Sequence, residues 1–307
     1  MCMRFLKTGQ KIFYMIISYL CKNLLHLINR FIHRKKVLTI PPAFKRHPEY
    51  FQLTDCVISQ LHEWIDRGDH EIPKTALGYC KMATIIRAYN IYKSINILLR
   101  NDHWEDAAIL TRSMFELLLN LEEVVKEEKN AEELSKKYLR FQKLQEYLHK
   151  ISEINYEIKT GRRPSTELIK IEELKKLSKE LFREFLDKNK VTGWASSWCG
   201  KSIYQLAKDS RNPMHIHNYE ILYSFFSDIT HSGPTAVHTS FQLFDNKDDA
   251  IKASSGVNGE QKSNLLMVLI LSTTWLIEVL LKGGQVLIIF DPRFCLKVTE
   301  KIKKLCE

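Results

Sequence analysis

Between residues 131 and 190 the chain carries one apolar pattern twice. Leu134, Tyr138, Phe141, Leu144, Leu148, Ile151 and Asn155 succeed one another at intervals of three and four, with Lys, Glu and Gln filling the gaps. "KTGRRPS" interrupts the run with Gly161 and Pro164, and Leu174, Leu177, Leu181 and Phe185 then resume the same spacing. Intervals of three and four place side chains on one face of a helix, and a Gly/Pro break between two such runs is a turn. Two helices, each with a single apolar seam, bury both seams most simply by folding back on each other as an antiparallel hairpin. A first arm of about 28 residues would be about 42 Å long at 1.5 Å per residue. Such a hairpin can project from the rest of the molecule or dock a second copy of the chain as a homodimer.

The segments on either side are helical too. "PEYFQLTDCVISQLHEWIDR" opens on Pro48 and carries Phe51, Val57, Ile58, Leu61 and Ile65 at helical intervals. "IPKTALGYCKMATIIRAYNIYKSINILLR" and "WEDAAILTRSMFELLLNLEEVV" read as two further helices. "PMHIHNYEILYSFFSDITH" is another, with Pro213 at its start. "SNLLMVLILSTTWLIEVLLKGG" is strongly apolar, holds Ser272, Thr273, Thr274 and Glu278, and ends at a glycine pair. It reads as the buried central helix of the body, and a membrane span over residues 265–281 is the competing reading. The expected fold class is all-α, a helical bundle with a long antiparallel helical hairpin and an amphipathic N-terminal helix.

Charge divides the chain sharply. The formal net charge is +10, yet residues 1–48 hold ten Lys or Arg and no acidic residue, while the rest holds 36 of each sign. The basic character therefore belongs to an N-terminal segment and not to the body, which lacks the overall basic excess usual for a nucleic-acid-binding core. Within "KIFYMIISYLCKNLLHLINRFIHRKK", Lys11, Ser18, Lys22, His26, Asn29 and His33 trace one narrow polar face of a helix. Lys22 and Arg30 interrupt a span over residues 12–32, and no small-residue cleavage site marks a secretory signal. The segment 1–38 is expected to be a basic amphipathic helix that lies on an anionic membrane surface through residues 11–36 or packs against protein. A Pro-containing linker at 39–48 would join it to an all-α body at 49–307, with the hairpin at 131–190. Seven scattered cysteines without paired spacing fit free thiols in a reducing cytoplasm. The expected location is cytoplasmic, peripheral at the inner membrane. No motif for a metal or cofactor is present, so none is expected.

Two polar stripes stand out on apolar helices. Arg112 and Glu116 lie four apart amid Ala, Leu, Met and Phe, and burying an unpaired charge costs several kcal/mol. They either pair with each other or serve a site, with the guanidinium taking an anion and Glu116 orienting it. Tyr223, Ser227 and His231 recur every four residues just before Gly233 and Pro234. If the two helices face each other, Arg112, Glu116 and His231 are candidate catalytic groups and Tyr223 and Ser227 candidate binding groups. The alternative is a hydrogen-bonded network that staples the core. Arg140 in "KYLRF" is a further candidate binding group.

"LTRSMFELLLNLE", "YLRF", "WCGKSIYQLA" and "YEILYSFFSDITH", in this order, resemble a bacterial domain-of-unknown-function family, DUF family 5677, over roughly residues 50–290. That resemblance implies an all-α body with a polar cluster of Arg112, Glu116, Arg140, Trp198, Tyr223, Ser227 and His231. It brings no established activity. "RNPMHIH", with Arg211 and His217 separated by five residues, resembles the Arg-to-His signature of the HEPN superfamily, which includes metal-independent ribonucleases of toxin and phage-defence systems. The resemblance implies that Arg211 would hold the scissile phosphate of RNA and His217 would move the proton of the ribose 2′-hydroxyl, usually across a dimer interface. Pro213 departs from that pattern, because it opens the helix and leaves Arg211 outside it.

Overall fold

A computed structural model describes residues 48–67, 74–101, 103–230 and 259–284. The N-terminal segment 1–38, the linker up to residue 47, and His231 lie outside the described residues. Among the described residues the secondary structure is helical throughout, with no strand beyond one isolated bridge between Leu186 and Trp194. The helices are α1 (Pro48–Arg67), α2 (Ala76–Arg100), α3 (Trp104–Val125), α4 (Ala131–Lys159), α5 (Leu168–Leu181), α6 (Ile203–Lys208), α7 (Met214–Asn218), α8 (Ser224–Thr230) and α9 (Gly259–Lys282). A π-turn at Tyr219–Tyr223 joins α7 to α8 without a break.

Helix α3 is the hub. Its apolar residues Ala107, Ala108, Met114, Phe115, Leu118 and Leu119 are buried, and α2, α8 and α9 pack against it. Trp275 of α9, fully buried, lies against Phe115 with ring centroids 4.6 Å apart. Between Asn264 and Lys282, α9 is long and apolar enough to cross a membrane, with mean hydropathy 2.0, and 72% of it is buried inside the protein. Its hydroxyls find partners within the fold: Ser272 and Thr273 donate to the Leu269 carbonyl and Thr274 to that of Ile270. Tyr92 of α2 shares a 2.9 Å hydrogen bond with Thr273. Burial without hydrogen bonds would cost each hydroxyl about 1–3 kcal/mol, so these contacts let a polar triplet sit in an apolar helix. The helix packs on both α2 and α3, as expected of a central helix of the body.

Helices α4 and α5 form the hairpin. Its turn spans Thr160–Pro164 with Gly161 at φ +71°, the left-handed region that glycine enters without steric cost. Ile151, Ile154 and Ile171 build a small apolar cluster of their own in the distal half. Leu144, Phe182, Phe185 and Trp194 build another nearer the body. The second arm is half the length of the first, 14 residues against 29, because the chain turns into a short 3₁₀ segment at Arg183–Phe185. The hairpin is fastened at its base: the Glu132 carboxylate of α4 accepts from the backbone N–H groups of Ala76 and Leu77 at 3.1 and 3.0 Å. That carboxylate satisfies two otherwise orphaned donors at the α2 N-terminus, beside the Thr75 side chain that caps Gly78.

Candidate functional site

Arg112 and Glu116 sit on α3, one turn apart, and Tyr223 closes the π-turn that leads into α8. Because α8 packs across α3, the three side chains meet. Arg112 Nη2 donates to the Tyr223 hydroxyl at 3.0 Å, and that hydroxyl donates to Glu116 Oε1 at 2.8 Å. Arg112 Nε lies 3.2 Å from the same carboxylate oxygen, an ion pair rather than an aligned hydrogen bond. The guanidinium carbon stands 4.7 Å from the Tyr223 ring centroid, within cation–π range. Arg112 and Glu116 side chains are 19% and 35% exposed, so the cluster reaches the surface. Burial, reinforced by the Glu116 carboxylate, pushes the Tyr223 phenol up to about 12. The hydroxyl therefore stays neutral near pH 7 and serves as a donor.

Tyr223 and Ser227 line a surface depression of about 320 Å³ with Tyr219, Ser224 and Asp228. The two tyrosine rings stack at 4.8 Å and 18°.

The remaining expected residues scatter. Trp198 is buried farther along α3: its indole N–H donates to Asn120 Oδ1 at 2.7 Å, and Asn120 donates to the Glu116 carbonyl. It braces the helix without reaching Tyr223. Arg140 holds the hairpin base, donating to Glu184 at 2.6 Å and to the Leu181 carbonyl. Arg211 turns its side chain onto the Lys126 carbonyl, while His217 is exposed with Glu220 3.9 Å away. Pro213 caps α7, so Arg211 lies outside the helix as the sequence suggests, and the two do not form a pair.

A second polar cluster lies in the interior, and sequence reasoning missed it. His215, with no exposed surface, places Nε2 3.0 Å from Glu278 Oε2 of α9 and Nδ1 3.3 Å from Glu122 Oε2 of α3. Lys282 Nζ approaches Glu122 Oε1 at 3.3 Å. Ser210 Oγ donates to Glu122 at 2.8 Å and lies 2.7 Å from His215 Nδ1. Asn212 Nδ2 reaches Glu278 Oε1 at 3.3 Å, and the Arg211 N–H donates to Glu122 at 2.9 Å. Phe115 meets the imidazole edge-on at 5.6 Å. Two carboxylates, an imidazolium and an ammonium sum to zero charge, which is what makes such burial tolerable. Burial opposes the imidazolium, but Glu278 and Glu122 together outweigh it and hold His215 at about 9. Burial likewise opposes the Glu122 carboxylate, yet the hydrogen bond from His215, the Lys282 and His215 charges and the Arg211 N–H lower it to about 2. A signal was present: Glu278 and Lys282 stand four apart in an otherwise apolar run, so both face one side of α9. Among the described residues, no group of His, Cys, Asp and Glu is arranged to hold a metal ion.

The sign of the pH dependence follows from these directions. His215 is raised above its ordinary 6.5, so its contribution is complete below about pH 6.5 and fades as pH rises toward 9. Glu122 is lowered from 4.5, so its contribution is complete above about pH 4.5 and fades as pH falls toward 2. Urea unfolding at stepped pH should show greatest stability between these limits. His215→Ala should cost about 3–5 kcal/mol at pH 6, because it strands two buried carboxylates with one ammonium, and should flatten the decline from pH 6.5 to 9.

Residues 81–250 match the model of a family described as "Family of unknown function (DUF5677)". No curated protein and no solved structure matches the chain. The matched region takes in the α3 cluster, the whole hairpin, the buried His215 and the helix that carries Tyr223, and by that match the chain belongs to the DUF5677 family.

Proposed function

We propose that the chain is a metal-independent RNA-cleaving effector of a bacterial defence or toxin system, with Arg112, Glu116 and Tyr223 as its substrate-facing cluster and His231 as its proton-transfer group. The supporting observation is convergence: an arginine, a carboxylate and a phenol from helices more than 100 positions apart in sequence meet at a part-exposed point beside Ser227. In this reading Arg112 holds the scissile phosphate, Glu116 fixes the guanidinium in one pose, and Tyr223 stays protonated as a donor. The ribose 2′-oxygen attacks phosphorus, the bond to the 5′-oxygen breaks, and a cyclic phosphate and a 5′-hydroxyl result. His231, two turns beyond Tyr223 in sequence, takes the 2′-hydroxyl proton, and the leaving 5′-oxygen gains one.

A second reading has its own supporting observation. Arg112 and Tyr223 are already bonded to Glu116, and Arg211 points away from His217. On that account the chain is a non-catalytic interaction or sensor module. Its basic segment 11–36 would attach it to an anionic membrane surface from the cytoplasmic side, and its hairpin would pair two copies.

Growth arrest on induced expression separates the two readings. On the catalytic reading, arrest is accompanied by RNA fragments ending in cyclic phosphate, and Arg112→Ala or His231→Ala each lowers cleavage about 10²–10⁴-fold and restores growth. Arrest that survives both substitutions, in protein that still folds, contradicts it. Removing residues 1–38 should move the protein from the membrane pellet to the soluble fraction. Full-length protein found wholly soluble would dispose of the membrane attachment.

A further inference from the structure

The helix that bears Tyr223 contains one turn too wide. The Ser224 N–H bonds the Tyr219 carbonyl five residues back, where an α-helix would use the residue four back. Such a turn accommodates an extra residue at some cost in geometry, and it persists where the surroundings fix both of its ends. Both ends are fixed here. On the N-terminal side, His215 is locked between Glu122 of α3 and Glu278 of α9, with Ser210 and Asn212 completing the lock. On the C-terminal side, Tyr223 is bonded to Arg112 and Glu116, and Phe226 is wholly buried in the main core. Phe115 touches both ends, with its ring 5.6 Å from that of His215 and 6.2 Å from that of Tyr223.

We propose that the π-turn Tyr219–Tyr223 is a register device held wide by the buried ion cluster, and that His215 is thereby a positioning residue for Tyr223. The proposal rests on reading Tyr223 as part of the ligand-facing cluster, but its mechanics need no ligand. With one residue too many for α geometry, the helix can satisfy His215 and Tyr223 together only by widening. Freed at the His215 end, the segment relaxes to an α-helix, and residues 214–218 rotate by about 100° against those beyond the turn. Tyr223 then loses the fixed backbone that aims its hydroxyl between Arg112 and Glu116.

Inserting one alanine after Ile221, a 45% exposed residue inside the wide turn, adds a second extra residue that the turn cannot take up. In the full chain this forces either His215 or Tyr223 out of place, and the thermal midpoint should fall by more than about 5 °C. In a His215→Ala background the clamp is already gone, and the same insertion should lower the midpoint by less than half as much. Should His215→Ala fail to fold, Ser210→Ala loosens the clamp while keeping all four charges. Equal losses from the insertion in both backgrounds would overturn the proposal, since a residue that merely adds stability gives additive effects. The readout involves no RNA, so a failure of the catalytic reading and a failure of this one are separately visible.

Discussion

Four charges with no net charge, sealed in the interior, hold this fold in register. Glu122, His215, Glu278 and Lys282 belong to three different segments, and none can be removed without leaving a charge uncompensated. Apolar packing alone would let α9 slide or turn against α3, since Leu, Ile and Val make no directional demand. An ion cluster with fixed hydrogen bonds admits one arrangement. Phe115 meets the imidazole on one side and Trp275 on the other, so the ion cluster adjoins the aromatic core.

From that anchor the surface cluster follows. Helix α3 carries Glu122 on its buried side and Arg112 and Glu116 nearer the surface, while the helix beginning at Met214 carries His215 inside and Tyr223 two turns on. The two helices are tied at the first pair, and the π-turn makes up the mismatch so that the second pair can meet. The hairpin contributes little to this centre. It has small apolar clusters of its own and joins the body through Glu132 and through Trp198 packed on Cys80 and Val124.

What the sequence revealed and what it hid divide along physical lines. Helical class and hairpin were legible because apolar spacing of three and four is a one-dimensional signal, and "KTGRRPS" marks its break. The meeting of Arg112 and Glu116 with Tyr223 was legible as a question, since two polar stripes on apolar helices must find partners. Arg140 and Trp198 looked like members of the same cluster because they occur in the same ordered motifs, yet each serves local packing. His215 was passed over for its neighbour His217, which matched a spacing pattern. The burial of His215 depends on where α3 and α9 pack against its helix, which the spacing within one helix does not report. The π-turn is equally silent in sequence, because it arises from constraints at either end rather than from the residues within it.

The claim on which the rest depends is that His215 is an imidazolium locked between two carboxylates. Nitrogen chemical shifts of the His215 ring, assigned by comparison with His215→Gln and followed from pH 5 to 10, test it directly. The account predicts a ring protonated on both nitrogens at pH 7 that titrates near 9. A ring that is neutral at pH 7, titrating at or below 6.5, would contradict it.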